Sequence, residues 1–177
     1  MRQAIKGAEV AAIEFARVYG DAQEAYAGED RDGDEVLEYA QKLASTPGQR
    51  DGLFWEPGDD GEQSPLASFA ARAAEYLGYR QAGEPYRGYR FRVLTAQGPN
   101  PPGGEYDYVI NGNMIAGFAL VAWPADHGNS GVMTFVLSHQ GKLYQKDLGP
   151  DTAAVGEAMT RYDPDASWTE VAEEGQP

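Results

Sequence analysis

Cysteine is absent from the 177-residue sequence. Its absence excludes disulfides, zinc–thiolate sites, iron–sulfur clusters and cysteine nucleophiles. No apolar run approaches the ~18 residues by which a membrane span is recognised, and the first residues have no apolar signal-peptide core, so neither feature is expected. The length suits a single domain over residues 1–177, with a core large enough to fold without a metal or a disulfide.

Basic residues are also scarce: 14 lysines and arginines stand against 28 acids, a net charge of −14. Phosphate binding needs clustered Lys and Arg, so nucleic acids and anionic membranes are not expected as partners. The excess negative charge is confined to residues 21–38 and 147–177, which each contain eight acids and one arginine. The later acids are interpreted as a solubilising terminus: Asp163, Asp165, Glu170, Glu173 and Glu174.

Residues 3–27 carry the clearest helical pattern. Apolar residues spaced alternately by four and three positions lie on one helix face, and here they are Ala8, Ala12, Phe15, Tyr19, Ala22 and Tyr26. Residues 28–80 are expected to form loops and short helices. One short helix is predicted from Glu35 to Leu43, and Ser64–Pro65 is typical of the start of another.

An antiparallel sheet is predicted over residues 86–147. Aromatic and apolar residues alternate with polar ones from Tyr89 to Leu94, as in a half-buried strand. Residues 114–123 form an apolar run that fits a central strand, and two further segments flank the turn at His139–Gly141 as a hairpin. Because no helix lies between these three to four strands, they are expected to form a meander.

The predicted fold class is therefore α+β, with the long N-terminal helix packed on the antiparallel meander. Residues 148–177 form an acidic C-terminal segment, in which Asp151 is expected to cap a short helix that ends near Met159.

Several stretches of the chain resemble one bacterial family, named domain of unknown function 2950. They are residues 30–34 (DRDGD), 36–40 (VLEYA), 45–48 (STPG), 50–53 (RDGL), 117–125 (GFALVAWPA), 131–135 (GVMTF) and 144–152 (YQKDLGPDT). The resemblance covers nearly the whole chain, as the C-terminal half of longer proteins. It implies export with a signal peptide, and hence a periplasmic or extracellular location, but it implies no reaction.

The order of elements is similar, more weakly, to the soluble heads of type II secretion pseudopilins. Those heads also pack a long helix on an antiparallel meander. The likeness implies a pilin-like arrangement, although the apolar half-helix that polymerises true pilins is missing here.

The acidic loop at residues 30–34 is the strongest candidate for a ligand site. Asp30, Asp32 and Asp34 stand at alternate positions beside a glycine, so their carboxylates can converge on a hard cation such as calcium. Glu38 lies four residues further on and is predicted to complete the site. An EF-hand loop has glycine at the sixth position, where Glu35 stands, and glutamate at the twelfth, where Gln41 stands, so the chain departs from that pattern at both. The alternative is an Asx-rich turn between two helices, with Asp34 capping the second.

Other candidate groups carry weaker signals. A second acidic group is interpreted as a solvated loop: Glu56, Asp59, Asp60 and Glu62. Neither His127 nor His139 stands in a convincing Ser-His-Asp pattern, and Ser130 is interpreted as a turn residue. Tyrosines concentrate near the first strand, at Tyr76, Tyr79, Tyr86, Tyr89, Tyr106 and Tyr108. They either fill a core that is poor in Leu and Ile or form a platform for a sugar or peptide.

These observations favour a non-catalytic envelope or secreted protein that acts by binding or assembly. Its expected partner is an envelope protein or a polysaccharide, and calcium is the expected ion at the acidic loop. The alternative is a carboxylate-dependent hydrolase that acts on an extracellular polymer.

Overall fold

The computed structural model describes residues 2–55, 60–66 and 85–172. Helix α1 spans Arg2–Tyr26, which confirms the predicted long helix. Its buried face holds five of the six predicted stripe residues, all except Ala8, and also Ala16. Within the described ranges, no helix combines the length and apolar character needed to cross a bilayer.

Twelve strands and a second helix follow α1 in the described residues. The strands are β1 (Lys42–Ala44), β2 (Gly52–Phe54), β3 (Tyr89–Leu94), β4 (Ala96–Gln97), β5 (Tyr106–Asp107), β6 (Val109–Ile110), β7 (Asn113–Met114), β8 (Ala119–Pro124), β9 (Met133–Ser138), β10 (Leu143–Asp147), β11 (Arg161–Tyr162) and β12 (Thr169–Glu170). A 3₁₀ turn at Gly149–Asp151 leads into helix α2 at Thr152–Ala158.

The main sheet has the order β12-β10-β9-β8-β3, and all its pairings are antiparallel. Helix α1 packs against β8 and β9, while α2 packs against β8. Every residue of β8 is buried as a result. The α+β class and the 139–141 hairpin are confirmed, but the main sheet has five strands rather than three or four. The extra strand, β12, comes from the segment interpreted as a solubilising tail.

Three smaller sheets surround the main one. Strands β1 and β2 pair in parallel, β4 lies between β11 and β5, and β6 and β7 form a hairpin. The β6–β7 turn consists of Asn111 and Gly112, both with positive φ, as two-residue hairpin turns of type I′ require.

The predicted helix from Glu35 to Leu43 is wrong, because these residues are not helical: Tyr39 forms a β-bridge with Met114, and a strand begins at Lys42. The backbone N–H of Tyr39 donates to the carbonyl of Met114 at 2.8 Å, and the side chain of Gln23 binds both backbone polar groups of Ala40 at 2.7 Å. Tertiary hydrogen bonds thus replace the helical ones, and Asp34 cannot act as a helix cap. Most of the other predicted helix, which begins at Ser64–Pro65, lies outside the described residues.

The C-terminal segment takes part in the fold as far as residue 172, whereas Glu173 and Glu174 lie outside the described residues. Helix α2 begins directly after Asp151, as predicted, but the Asp151 side chain makes no capping hydrogen bond. The hydroxyl of Thr152 instead donates to the carbonyl of Gly149 at 2.6 Å. Asp163 accepts two hydrogen bonds from Asn100, at 3.0 and 2.9 Å, which ties this acidic segment to the loop after β4.

Candidate cation site and adjoining cleft

The acidic loop follows α1 directly and is shaped by its own carboxylates. The two oxygens of Asp30 accept the backbone N–H groups of Gly33 at 2.8 Å and Glu35 at 2.9 Å. Asp34 accepts the N–H of Val36 at 2.8 Å. Asp32 likewise accepts the N–H of Asp34 at 3.3 Å, so residues 32–36 form two consecutive Asx turns, and this part of the turn interpretation is confirmed.

The same curl brings Asp30, Asp32 and Asp34 together. Each offers a carboxylate oxygen, these oxygens lie within 4.8 Å of one another, and all three residues are exposed. The backbone N–H of Glu35, with that of Gly33, holds the pKa of Asp30 below its usual range. Because carboxylate oxygens are the ligands that hard cations prefer, this group can hold a metal ion.

The loop backbone at Glu35 has the conformation that glycine usually supplies. Glu35 is sixth from Asp30 and has a φ of 67°, in the left-handed region that is costly for most side chains. In an EF-hand loop, the sixth position is a glycine for this reason. The mismatch noted in the sequence is therefore one of residue type and not of backbone conformation.

Glu38 stands beside the Asp30–Asp32–Asp34 group without being part of it. Burial and the charges of Asp32 and Asp34 raise the pKa of Glu38. Its Oε2 atom is buried and has no hydrogen-bond partner in the part of the chain that the structure describes. Glu38 is ninth from Asp30, a position that often reaches calcium through a water in EF-hand loops.

Arg31 anchors the loop from the opposite side. Its Nε donates to the carbonyl of Tyr26 at 3.1 Å, at the C-terminus of α1, where cations are favourable. Its Nη1 contacts Glu62 Oε1 at 3.0 Å, and the guanidinium lies 5.1 Å from the Tyr26 ring and 5.3 Å from the Trp55 ring. The arginine therefore points into the fold while the aspartates on either side of it remain exposed.

The β6–β7 hairpin also contacts the loop, which the sequence analysis did not anticipate. Asn113 Nδ2 donates to Asp34 Oδ2 at 3.2 Å, and Gln41 Nε2 donates to the carbonyl of Gly112 at 2.9 Å. The Asn111–Gly112 pair was the available signal for this hairpin, but nothing local in the sequence indicates that it packs against residues 34–41.

A cleft of about 440 Å³ adjoins the loop. Its walls come from the end of α1, the acidic loop, residues 38–42 and residues 49–51. Asp51 in this wall accepts hydrogen bonds from Lys42 and Thr46, which lower its pKa to about 2 although burial raises it. Asp51 therefore fixes the 46–51 turn.

The second acidic group is partly structural rather than solvated. Glu62 binds Arg31 and Arg50, and Asp60 also binds Arg50. Arg50 lies 5.5 Å from the Trp55 ring, so these ion pairs surround an aromatic side chain. Glu56 and Asp59 lie outside the described residues.

The histidines and Ser130 do not form a triad. His127 Nε2 contacts Asp147 Oδ1 at 2.7 Å, but the Ser130 hydroxyl bonds to backbone groups of Asp126 at 2.9 and 3.2 Å. His139 contacts the hydroxyl of Tyr106 at 3.3 Å. Ser130 is therefore a turn residue, as the sequence indicated.

The described tyrosines of the predicted cluster mainly fill the core. Tyr86, Tyr89 and Tyr108 are buried, and the Tyr89 hydroxyl donates to the carbonyl of Met133 at 2.7 Å. The core interpretation is confirmed for these residues, while Tyr76 and Tyr79 lie outside the described residues.

Comparison with known proteins gives a family but no function. No curated protein and no solved structure matches the chain. One family model, described as "Protein of unknown function (DUF2950)", matches residues 1–171. Since the match covers nearly the whole sequence, the chain belongs to the DUF2950 family of proteins of unknown function.

Proposed function

We propose that this chain is a non-catalytic envelope or secreted protein, which acts by binding or assembly and whose acidic loop is stabilised by calcium. The observation that carries the proposal is the convergence of Asp30, Asp32 and Asp34 beside the unpaired Glu38 oxygen. Calcium takes six to eight oxygen ligands. The three aspartates supply carboxylate oxygens, and Glu38, which stands beside them, is proposed to reach the ion through a water, as the ninth position of an EF-hand loop does.

The charge of the loop supports a cation there. Residues 21–38 have eight acids and one arginine, and they include the C-terminal end of α1, where the helix dipole is itself negative. A divalent ion offsets both the mutual repulsion of the carboxylates and the unfavourable dipole.

The calcium proposal is tested by thermal melting of the chain in EDTA and in calcium chloride. Calcium at a hundred times its Kd contributes about 2.7 kcal/mol, which for a chain of this size raises Tm by roughly 5–10 °C. Asp32→Asn should abolish most of the shift because it removes one of the converging carboxylates.

The matched control is Asp107→Asn, which removes the same charge from an exposed residue of β5. It should keep the full calcium shift. An equal Tm in EDTA and in calcium, or an equal loss of the shift in both variants, would contradict the proposal.

The proposed location is the periplasm or the extracellular space, with an envelope protein or a polysaccharide as partner. Export is what the family resemblance implies, and packing of α1 on an antiparallel sheet supports a pilin-like arrangement suited to assembly. Fractionation of cells that produce the full-length native protein, followed by cross-linking in the envelope fraction, tests both points. A protein found only in the cytosol would refute the location.

The alternative function is a carboxylate-dependent hydrolase of an extracellular polymer. One observation favours it: Glu38 has a raised pKa and lines a cleft together with Asp32, as a general acid beside a second carboxylate would. Release of reducing ends from envelope polysaccharide, lost in Glu38→Gln and kept in Asp107→Asn, would establish this function in place of the first.

A further inference from the structure

Several large apolar side chains are exposed beside the acidic loop. Of the five exposed large apolar residues in the described ranges, three lie here: Leu37 is 57% exposed, Ile110 45% and Ile115 44%. The other two, Val10 and Val155, stand singly on α1 and α2. Single exposed apolar side chains are normal, whereas grouped ones mark interaction sites, so the group of three is the one that indicates a partner.

Hydrogen bonds between neighbouring segments bring these three residues together. The backbone N–H of Tyr39 donates to the carbonyl of Met114 at 2.8 Å, in an antiparallel bridge. Leu37 and Ile115 stand two residues and one residue away from this bridge along the chain. Ile110 belongs to β6, which pairs with β7 and therefore with the strand that contains Met114. We call Leu37, Ile110 and Ile115 the apolar patch.

The surroundings of the apolar patch are acidic. Residues 29–38 hold six acids and one arginine, a net charge of −5, and residues 104–116 hold no lysine or arginine. The single arginine, Arg31, contacts Glu62 and lies against the Trp55 ring, whereas the aspartates on either side of it are exposed. A calcium ion at the loop would leave residues 29–38 with a net charge of −3, so the sign of the charge is the same with and without the ion.

We infer that the apolar patch binds an amphipathic segment of a partner protein, with aliphatic side chains on one side and lysines or arginines on the other. The inference rests on the proposed binding function and names the chemistry of its partner. The aliphatic side chains would cover the patch while the cations face the acidic loop. Complementary charge favours such a partner, and like charge disfavours a second copy of this acidic chain.

Three synthetic peptides of equal length separate the apolar contribution from the charge. The first has leucines and lysines in a helical heptad pattern, the second has serine in place of every leucine, and the third has glutamate in place of every lysine. Each is titrated into the ¹⁵N-labelled chain in EDTA, and amide shifts are followed by NMR. We expect saturable shifts at residues 32–41 and 109–116 with the first peptide, and binding of the other two that is about tenfold weaker or absent.

Substitutions in the chain locate the site. Leu37→Ser and Ile115→Ser should each weaken binding of the leucine–lysine peptide about tenfold, whereas Val10→Ser, at an exposed position of α1, should leave it unchanged. Glu35→Gln removes a charge beside the patch and should weaken binding about threefold. Its control is Glu157→Gln, which removes the same charge from an exposed residue of α2.

Several outcomes would overturn the inference. They are equal binding of the leucine and serine peptides, equal weakening by Leu37→Ser and Val10→Ser, and the absence of saturable shifts. Dimerisation of the chain that is lost in Leu37→Ser, as light scattering would measure, would show that a second copy covers the patch instead.

The chelator keeps this experiment separate from the calcium proposal. If the peptide fails to bind while calcium raises Tm, only the docking site is lost. If calcium fails to stabilise the chain while the peptide still binds at the apolar patch, only the calcium proposal is lost.

Discussion

One buried glutamine forms hydrogen bonds with backbone groups that would otherwise need a neighbouring strand as their partner. Gln23 is fully buried in α1, and its amide donates to the carbonyl of Ala40 and accepts the N–H of Ala40, both at 2.7 Å. It also donates to the Tyr19 hydroxyl at 3.0 Å. Two backbone polar groups that would otherwise be buried without partners are thereby satisfied, so segment 35–43 is held against α1.

Gln23→Leu should therefore be strongly destabilising. The substitution keeps the volume but leaves both polar groups of Ala40 without partners, and each such group costs about 1–3 kcal/mol. We expect a loss of roughly 2–4 kcal/mol in the free energy of unfolding, measured from the urea midpoint at unchanged m-value. Gln3→Leu, at an exposed position of the same helix, is the control, and similar losses in both variants would contradict this role.

His139 is a neutral side chain in an apolar setting. Its ring lies edge-on to Tyr108 at 5.5 Å and to Phe118 at 6.1 Å. Its Nδ1 is buried and has no hydrogen-bond partner in the described part of the chain. Burial lowers the pKa of His139, because the imidazolium would place a second N–H donor where nothing accepts it.

This environment should make stability depend on pH. The unfolded chain binds a proton at His139 near pH 6.5, while the folded chain resists it, so folding loses free energy as pH falls through that value, by at most about 1.4 kcal/mol per pH unit. His139→Gln lacks this contribution. Wild type should therefore lose stability relative to the variant between about pH 7.5 and about pH 5.5, as chemical unfolding would measure. Parallel profiles for wild type and His139→Gln would exclude the effect.

At the scale of elements, glycine has opposite roles in the two helices. Gly7 in α1 is exposed, and a Cβ added there would meet nothing within 4 Å. Gly156 in α2 is buried, and a Cβ there would stand 2.6 Å from Trp123 Cγ. Of these two glycines, only Gly156 must lack a side chain, because this allows α2 to lie directly on the ring of Trp123.

Alanine at these two glycines should change stability in opposite directions. Gly7→Ala should stabilise the chain by about 0.5–1 kcal/mol, since alanine loses less backbone entropy in a helix. Gly156→Ala should destabilise it by about 1–3 kcal/mol, because the methyl group overpacks the contact with Trp123. Urea unfolding of both variants measures the difference, and a gain in stability for Gly156→Ala would mean that α2 does not rest on the ring.

Elements whose sequence signal lies within a few neighbouring residues could be predicted from the sequence. The stripe of α1 and the hairpin at residues 139–141 depend on spacing and turn residues within a short window. The geometry of Asp30, Asp32 and Asp34 was predictable for the same reason, since alternate aspartates beside a glycine curl together. The non-helical 35–43 segment was not, because its partners Gln23 and Met114 lie 17 and 75 positions away from Ala40 and Tyr39.

At the scale of the whole molecule, the second acidic segment contributes two strands to the sheets. Strand β12 pairs with β10 at the edge of the main sheet, and β11 pairs with β4. As far as residue 172, the second acidic segment is therefore part of the fold, even though its composition resembles that of a disordered tail. Amino-acid composition did not predict these two strands, because a paired strand of two residues leaves almost no recognisable pattern in a sequence.

Substitutions of Tyr162 measure how much the fold depends on this acidic segment. It belongs to β11 and is only 1% exposed, and burial raises its pKa to about 12. Tyr162→Ala should cost about 3–5 kcal/mol in the free energy of unfolding, as large aromatic deletions in a core do, whereas Tyr162→Phe keeps the ring and should cost about 1 kcal/mol. Urea unfolding followed by circular dichroism measures both losses. If the alanine variant lost less than about 1 kcal/mol, the segment would add little to stability and its acids would serve mainly to keep the protein soluble.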